Sequence, residues 1–266
     1  MDKNLRIAVL GATGKVGSLF VKQSLDTGFF LRVLVRNKSI FEYKNKSDVS
    51  IVFGNSTNLK DVEDLITNVD CVVSLLGNVK ADNQYTNIMQ KSHANNLKIA
   101  ARKNKIPKCI FISSVGCGGS SWIIKAMLSM VAGKKSFNDY EAADKQVREQ
   151  SIVPSILVRP YALNDKAATG EYKILKPKTI HFAKPLSRAD LATCLVSITG
   201  NNNFLNKTVH VVGWYLENKC WKIIQMLESC YWTSPRIGWN KKNRREWLYW
   251  EEIRNYGFGD LSNLNA

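Results

Sequence analysis

Acidic residues are scarce in this sequence: 22 Asp and Glu stand against 38 Lys and Arg, for a formal net charge of +16. The imbalance does not gather in one place. Residues 1–110 carry 17 basic and 9 acidic groups, residues 111–213 carry 13 and 7, and residues 214–266 carry 8 and 6. A nucleic-acid footprint is usually a stripe or a tail, so no nucleic-acid partner is expected; a diffuse basic surface favours anionic small ligands instead. The six cysteines form no C-x-x-C pair, and the three histidines, His93, His181 and His210, share no ligand spacing. No metal site is expected. Long apolar runs are missing too. The most apolar stretch, Trp122 to Ala132, is interrupted by Lys125 and is too short to span a bilayer, so no membrane association is expected. The first residues, MDKNLR, lack the apolar region of a signal peptide, which predicts a reduced, cytoplasmic protein. Cys71 and Cys109, inside apolar runs, read as buried thiols. There is no internal repeat and no extended low-complexity tract.

What the sequence does have is alternation. Strand-like runs at Leu5–Leu10, Phe30–Val35, Val49–Phe53, Val69–Leu76, Lys108–Ser113 and Pro154–Arg159 are separated by helical stretches at Val16–Thr27, Leu59–Ile66, Asn83–Lys103 and Tyr140–Gln150. Gly28 is placed to stop the first helix. Val69–Leu76 is nearly continuous in apolar residues, as expected of a strand covered on both faces. Such a series predicts a parallel sheet with right-handed crossovers. After Ala162 the rhythm weakens. A helix at Ser187–Ser197, capped by Ser187 with Asp190 at its third position, and a strand at Val209–Val212 complete it.

The first strand runs into Gly11-Ala-Thr-Gly14-Lys-Val-Gly17, and a helix follows. Each glycine meets a separate need. Gly11 allows a tight turn off the strand, Gly14 lets backbone approach a diphosphate, and Gly17 lets the helix pack closely on the sheet. The N–H groups of the first helical turn then face the phosphates, supported by the helix dipole. The P-loop needs G-x-x-x-x-G-K-[ST], whereas Lys15 is followed by Val16. The loop therefore points to a dinucleotide. The end of the second strand decides which one. An acid there would hold the ribose 2′-hydroxyl and repel a 2′-phosphate; this chain has Arg36, with no acid before Glu42. A guanidinium suits the 2′-phosphate, which makes NADP(H) the expected cofactor.

With these residues in place, the chain resembles the atypical short-chain dehydrogenase/reductases, especially the nitrogen-metabolite-repressor-like (NmrA-like) and biliverdin/flavin reductase-like NAD(P)-binding proteins. The resemblance covers about residues 5–213. It rests on GATGKVG at 11–17, VLVRN at 33–37, Gly54-Asn55, VSLLG at 73–77, FISSVG at 111–116, ILVRPYAL at 156–163 and SRADLA at 187–192. It implies that Gly11, Thr13, Gly14, Lys15, Val16 and Gly17 hold the pyrophosphate and Arg36 the 2′-phosphate. Asn55 would lie near adenine, and Leu76 and Gly77 would line the nicotinamide half. Ser113 and Ser114 would face the nicotinamide ribose or the substrate carbonyl, and Pro160 and Tyr161 would pack near the carboxamide.

The catalytic signature departs from that pattern. Most short-chain dehydrogenases place Tyr and Lys on one helix face as Tyr-x-x-x-Lys, the lysine lowering the tyrosine's pKa. Here Tyr140 is followed by Asp144 at that step and Lys145 one further, which turns Lys145 roughly 140° away. An acid at Asp144 would tend to raise the tyrosine pKa. Ser114 and Tyr140 are the candidate catalytic residues, with Tyr140 expected not to be an essential proton donor.

The expected fold class is α/β: a Rossmann-type doubly wound parallel sheet. Its divisions are a dinucleotide-binding domain at 1–160, a substrate-side region completing the same fold at 161–213, and a Trp-rich extension at 214–266 that holds six of the seven tryptophans. The extension reads as two helices packing on the core, with a protein partner or self-association as the alternative. The leading function is NADPH-dependent reduction of a small acceptor such as a flavin, quinone or tetrapyrrole. The alternative is a non-catalytic NADP(H) sensor acting through a protein partner.

Overall fold

The computed structural model describes residues 4–37, 41–77, 95–118, 134–149, 153–177 and 184–213. The expected helices of the extension, the Trp122–Ala132 stretch and residues 83–94 lie outside the described residues.

The chain opens with β1 (Arg6–Leu10) and α1 (Lys15–Thr27). Gly28, at φ 91°, takes the left-handed turn that ends α1, its N–H donating to the Leu25 carbonyl. Then come β2 (Phe30–Val35), β3 (Val49–Phe53), α2 (Leu59–Leu65), β4 (Cys71–Ser74), α3 (Lys98–Lys103) and β5 (Cys109–Ile112). After them lie α4 (Lys134–Glu149), β6 (Ser155–Pro160), β7 (Leu163–Asn164), β8 (Tyr172–Leu175), β9 (Leu186–Ser187), α5 (Arg188–Thr199) and β10 (Thr208–Gly213).

Eight strands form one sheet in the order β3-β2-β1-β4-β5-β6-β10-β8, and every neighbouring pair is parallel except β10 and β8. The strand order reverses between β1 and β4, the crevice where doubly wound sheets bind ligands. β7 and β9 make a separate two-stranded parallel sheet. Residues of β1 alternate between two cores. Ile7 and Val9 pack on the side of α1 and α5 with Phe20, Val21, Leu191 and Leu195; Ala8 and Leu10 pack on the other side with Val62, Leu65, Ala100 and Val147. These four of the five β1 residues are fully buried, which is why that run reads as continuous rather than alternating.

Two expectations change. The helix through Tyr140 already runs at Lys134, where the described residues resume: Phe137 joins Ala143 and Val147 in the buried stripe while its polar neighbours hide it in the sequence. β7, β8 and β9 have no counterpart in the sequence reading. Two of them have two residues each, and all four residues of β8 are half-buried, so no apolar run announces them. The cap on α5 is as expected: Ser187 Oγ accepts from the Asp190 N–H at 2.9 Å and donates to Asp190 Oδ2 at 2.7 Å. Cys71 and Cys109 are buried free thiols, and burial pushes the Cys71 pKa to about 12. Among the described residues, no helix is long and apolar enough to cross a membrane.

Candidate functional site

At the carboxyl end of β1, Gly11 adopts φ 81°, and a β-carbon on it would lie 2.7 Å from the Leu75 carbonyl oxygen. The loop is thus pressed against the end of β4. A β-carbon on Gly17 would overlap the Gly11 carbonyl oxygen, so only glycine lets α1 begin this close to the strand. Gly14 is different. Its β-carbon would meet only the Gly11 oxygen, at 3.3 Å, and the residue is exposed, as are Thr13 and Lys15. The Gly14 N–H donates to the Gly11 carbonyl, and the first bond inside the helix runs from Ser18 N–H to Gly14 O at 2.8 Å. The amides of Lys15, Val16 and Gly17 therefore precede any intrahelical acceptor, as the first turn of a helix requires. This geometry fits a diphosphate: an open approach at Gly14, with helix N–H groups behind it.

Around the loop, the parallel sheet brings the ends of five more strands to the same edge. Arg36 follows β2 and is exposed; Asn55 follows β3. Asn55 is fixed on both sides, its N–H donating to Asp61 Oδ2 at 2.7 Å and its Oδ1 accepting from the Thr57 N–H at 3.1 Å. Leu76 and Gly77 follow β4. Tyr140, on α4, brings its hydroxyl to this point: a β-carbon on Gly77 would lie 3.3 Å from it. Ser113 and Ser114 follow β5. Pro160 ends β6, and Tyr161 follows it, tied by its N–H to the Val211 carbonyl at 2.9 Å. Burial raises the Tyr161 pKa.

Asp144 does not act as the sequence suggested. It is no bare acid beside Tyr140 but the centre of a buried cluster. Arg159 Nε and Nη2 donate to its two oxygens at 2.8 and 2.7 Å, Arg148 Nε donates at 2.8 Å, and the Ser113 hydroxyl donates at 2.6 Å. Burial alone would push this carboxyl up; the arginines and the serine outweigh it and hold it below the usual range. The Ser113 proton is therefore committed to Asp144, and the Ser114 hydroxyl donates to the Val115 carbonyl at 3.1 Å. Gly118, at φ 65°, passes so close to Arg159 that a β-carbon there would overlap the guanidinium. Nearby Cys117 is buried, and its pKa is pushed to about 11.

Sequence reasoning missed this cluster, although a signal existed. Arg159 sits inside an apolar strand, and a buried arginine needs a carboxylate. It also missed the contact of Lys15 Nζ with Asp165 Oδ2, at 2.9 Å, because the two lie 150 positions apart.

Residues 11–202 match the family described as NAD(P)H-binding. The chain belongs to that family. Among curated proteins it is similar to the chloroplastic divinyl chlorophyllide a 8-vinyl-reductase of Arabidopsis thaliana, 24% identical over 232 residues, covering 79% of this chain and 54% of the relative. It thus spans about half the length of the curated relatives it matches. Among solved structures it shares its fold with an anaerobilin reductase from Escherichia coli O157:H7, with a TM-score of 0.65, 19% identity, and coverage of 80% of this chain and 98% of that one. It shares it also with a short-chain dehydrogenase/reductase from Veillonella parvula in complex with NADP, with a TM-score of 0.65, 16% identity, and coverage of 78% and 94%.

Proposed function

We propose that this NAD(P)H-binding protein is an NADPH-dependent reductase of a small conjugated acceptor of the flavin, quinone or tetrapyrrole class. The observation that carries this reading is a juxtaposition on one sheet edge: a glycine-rich diphosphate cradle at Gly11–Gly17 and, beyond the end of β4, the Tyr140 hydroxyl against Gly77. A cofactor laid from Arg36 across the cradle to Gly77 would end at that hydroxyl. The names of two similar proteins, a divinyl chlorophyllide reductase and an anaerobilin reductase, support a tetrapyrrole-like acceptor. The formal charge of +16 suits the carboxylates or phosphates such acceptors carry.

In this reading Gly11, Thr13, Gly14, Lys15, Val16 and Gly17 hold the diphosphate, Arg36 the 2′-phosphate, and Asn55 the adenine end. Leu76, Gly77, Pro160 and Tyr161 enclose the nicotinamide. NADPH, when bound, supplies the hydride. The protein's part is orientation. Ser113, its proton held by Asp144, presents an oxygen that can only accept, so it binds a donor group rather than protonating the acceptor. Tyr140 and Ser114 border the place the acceptor would take, with water as the proton source.

Mixing the NADPH-loaded protein with a panel of flavins, quinones and tetrapyrroles tests the reading. Stoichiometric loss of the reduced-nicotinamide absorbance with at least one of them is expected. Retention of that absorbance with all of them would overturn it in favour of a binding role without chemistry.

A further inference from the structure

One carboxylate ties the phosphate loop to the start of α5. Lys15 Nζ donates to Asp165 Oδ2 at 2.9 Å, and Arg188 Nη1 donates to Asp165 Oδ1 at 2.5 Å. Lys15 is the first residue of α1 and Arg188 the first of α5. The two cations around a single acid leave one positive charge in excess beside the cradle. Together they hold the Asp165 carboxyl below its usual range.

Asp165 has holds other than Lys15. Asn164 Oδ1 accepts from the Lys166 N–H at 3.0 Å, closing a turn around Asp165. A little further on, Thr169 N–H, Thr169 Oγ1 and Gly170 N–H all donate to Asp190, a residue 2% exposed. Arg188 holds the carboxylate from the third side. The Lys15–Asp165 contact is the wetter of the two: the Lys15 side chain is 70% exposed against 22% for Arg188, around a carboxylate that is itself 62% exposed. An exposed pair of this kind is weak and easily exchanged. Lys15 is thus an exposed cation of the phosphate loop resting on a carboxylate that Arg188 and the 164–166 turn also hold.

We infer that Asp165 is an affinity-setting residue that competes with the cofactor's diphosphate for Lys15. This rests on the reading that the diphosphate lies at Gly11–Gly17. On binding, the Lys15 ammonium passes from the Asp165 carboxylate to a phosphate oxygen, while Arg188 keeps Asp165 where it was. On release the carboxylate takes Lys15 back, so the Lys15 ammonium always has an anionic partner. Asp165 therefore loosens a site whose many phosphate donors would otherwise hold the spent cofactor tightly.

The test is NADPH binding by calorimetry to the wild type, Asp165→Asn, Lys15→Met and the double variant. Asp165 and Lys15 are exposed, so both substitutions should fold. Asp165→Asn should tighten binding about two- to fivefold, the scale of an exposed ion pair. In the Lys15→Met background the same substitution should change affinity by less than half as much, since the cation competed for is gone. Weaker or unchanged binding by Asp165→Asn would overturn the inference; weaker binding would mean that the pair closes over the cofactor as a clasp. Tightening of equal size in both backgrounds would overturn it too, leaving simple repulsion. Absence of NADPH binding to the wild type would overturn the cofactor reading itself, a result distinct from the other two.

Discussion

Asp144 and Arg159 face each other as a two-pronged ion pair, Nε to Oδ2 at 2.8 Å and Nη2 to Oδ1 at 2.7 Å, with the Asp144 side chain fully buried and that of Arg159 2% exposed. This pair locks α4 to β6 and, through Ser113, to the end of β5. Asp144→Asn would leave a buried guanidinium without its counter-charge, a loss of about 3–5 kcal/mol by analogy with broken buried pairs. Urea unfolding at pH 7 measures it. The carboxyl is held below its usual range, so its contribution is full above the unfolded-chain value of about 4 and fades as pH falls through the lower folded value. The stability gap between wild type and variant should therefore narrow only below about pH 4. A gap that closes already between pH 7 and 5 would contradict the assignment.

Gly14 and Gly17 should behave differently although both belong to one motif. Gly17→Ala places a β-carbon on the Gly11 carbonyl oxygen and should destabilise the protein without any cofactor, by about 3 kcal/mol or more. Gly14→Val meets little within the protein, so the fold should persist while NADPH binding disappears, the added side chain filling phosphate space. Thermal melts and calorimetry on the two variants separate the cases. NADPH bound normally by Gly14→Val would place the diphosphate elsewhere.

Arg36 stands exposed just past β2. NADPH should bind at least tenfold more tightly than NADH, about 1.4 kcal/mol, and Arg36→Asp should abolish or reverse the preference. Equal dissociation constants in the wild type would remove Arg36 from the site.

Tyr140→Phe deletes one oxygen beside Gly77 and little volume. At the helical step where Tyr-x-x-x-Lys would place its lysine stands Asp144, saturated by two arginines and a serine, so that position holds no cation to lower the Tyr140 pKa. Single-turnover oxidation of bound NADPH should slow less than tenfold, under about 1.4 kcal/mol of barrier. A slowing of a hundredfold or more, at unchanged NADPH affinity, would make Tyr140 the general acid.

The glycine loop, the succession of strands along the chain up to β6 and the cap of α5 were legible because each is a local signal. A strand's hydrophobicity, a glycine at a fixed step, or a serine three residues before an acid needs no knowledge of distant neighbours. Asp144 is the opposite case. Its helical step from Tyr140 was plain, but the partners that neutralise it come from β5 and β6, and no periodicity links them. Lys15 lies on the loop by its place in the glycine motif, while Asp165, in an exposed turn between two short strands, carries no pattern at all. Local rules located the cradle; long-range pairing decided which charges around it are free to act.

The antiparallel edge carries a consequence for how the molecule is made. β8 spans Tyr172–Leu175, yet its neighbour in the sheet is β10, at Thr208–Gly213. As the chain emerges in order, β8 is complete while its docking strand does not yet exist, and β6 likewise waits with one side unpaired. Until residue 213 has left the ribosome, the growing sheet presents an open ladder of backbone donors and acceptors, the kind of edge that recruits the wrong strand. Nascent chains stopped before β10 should therefore be the aggregation-prone species, and those stopped just after it should not.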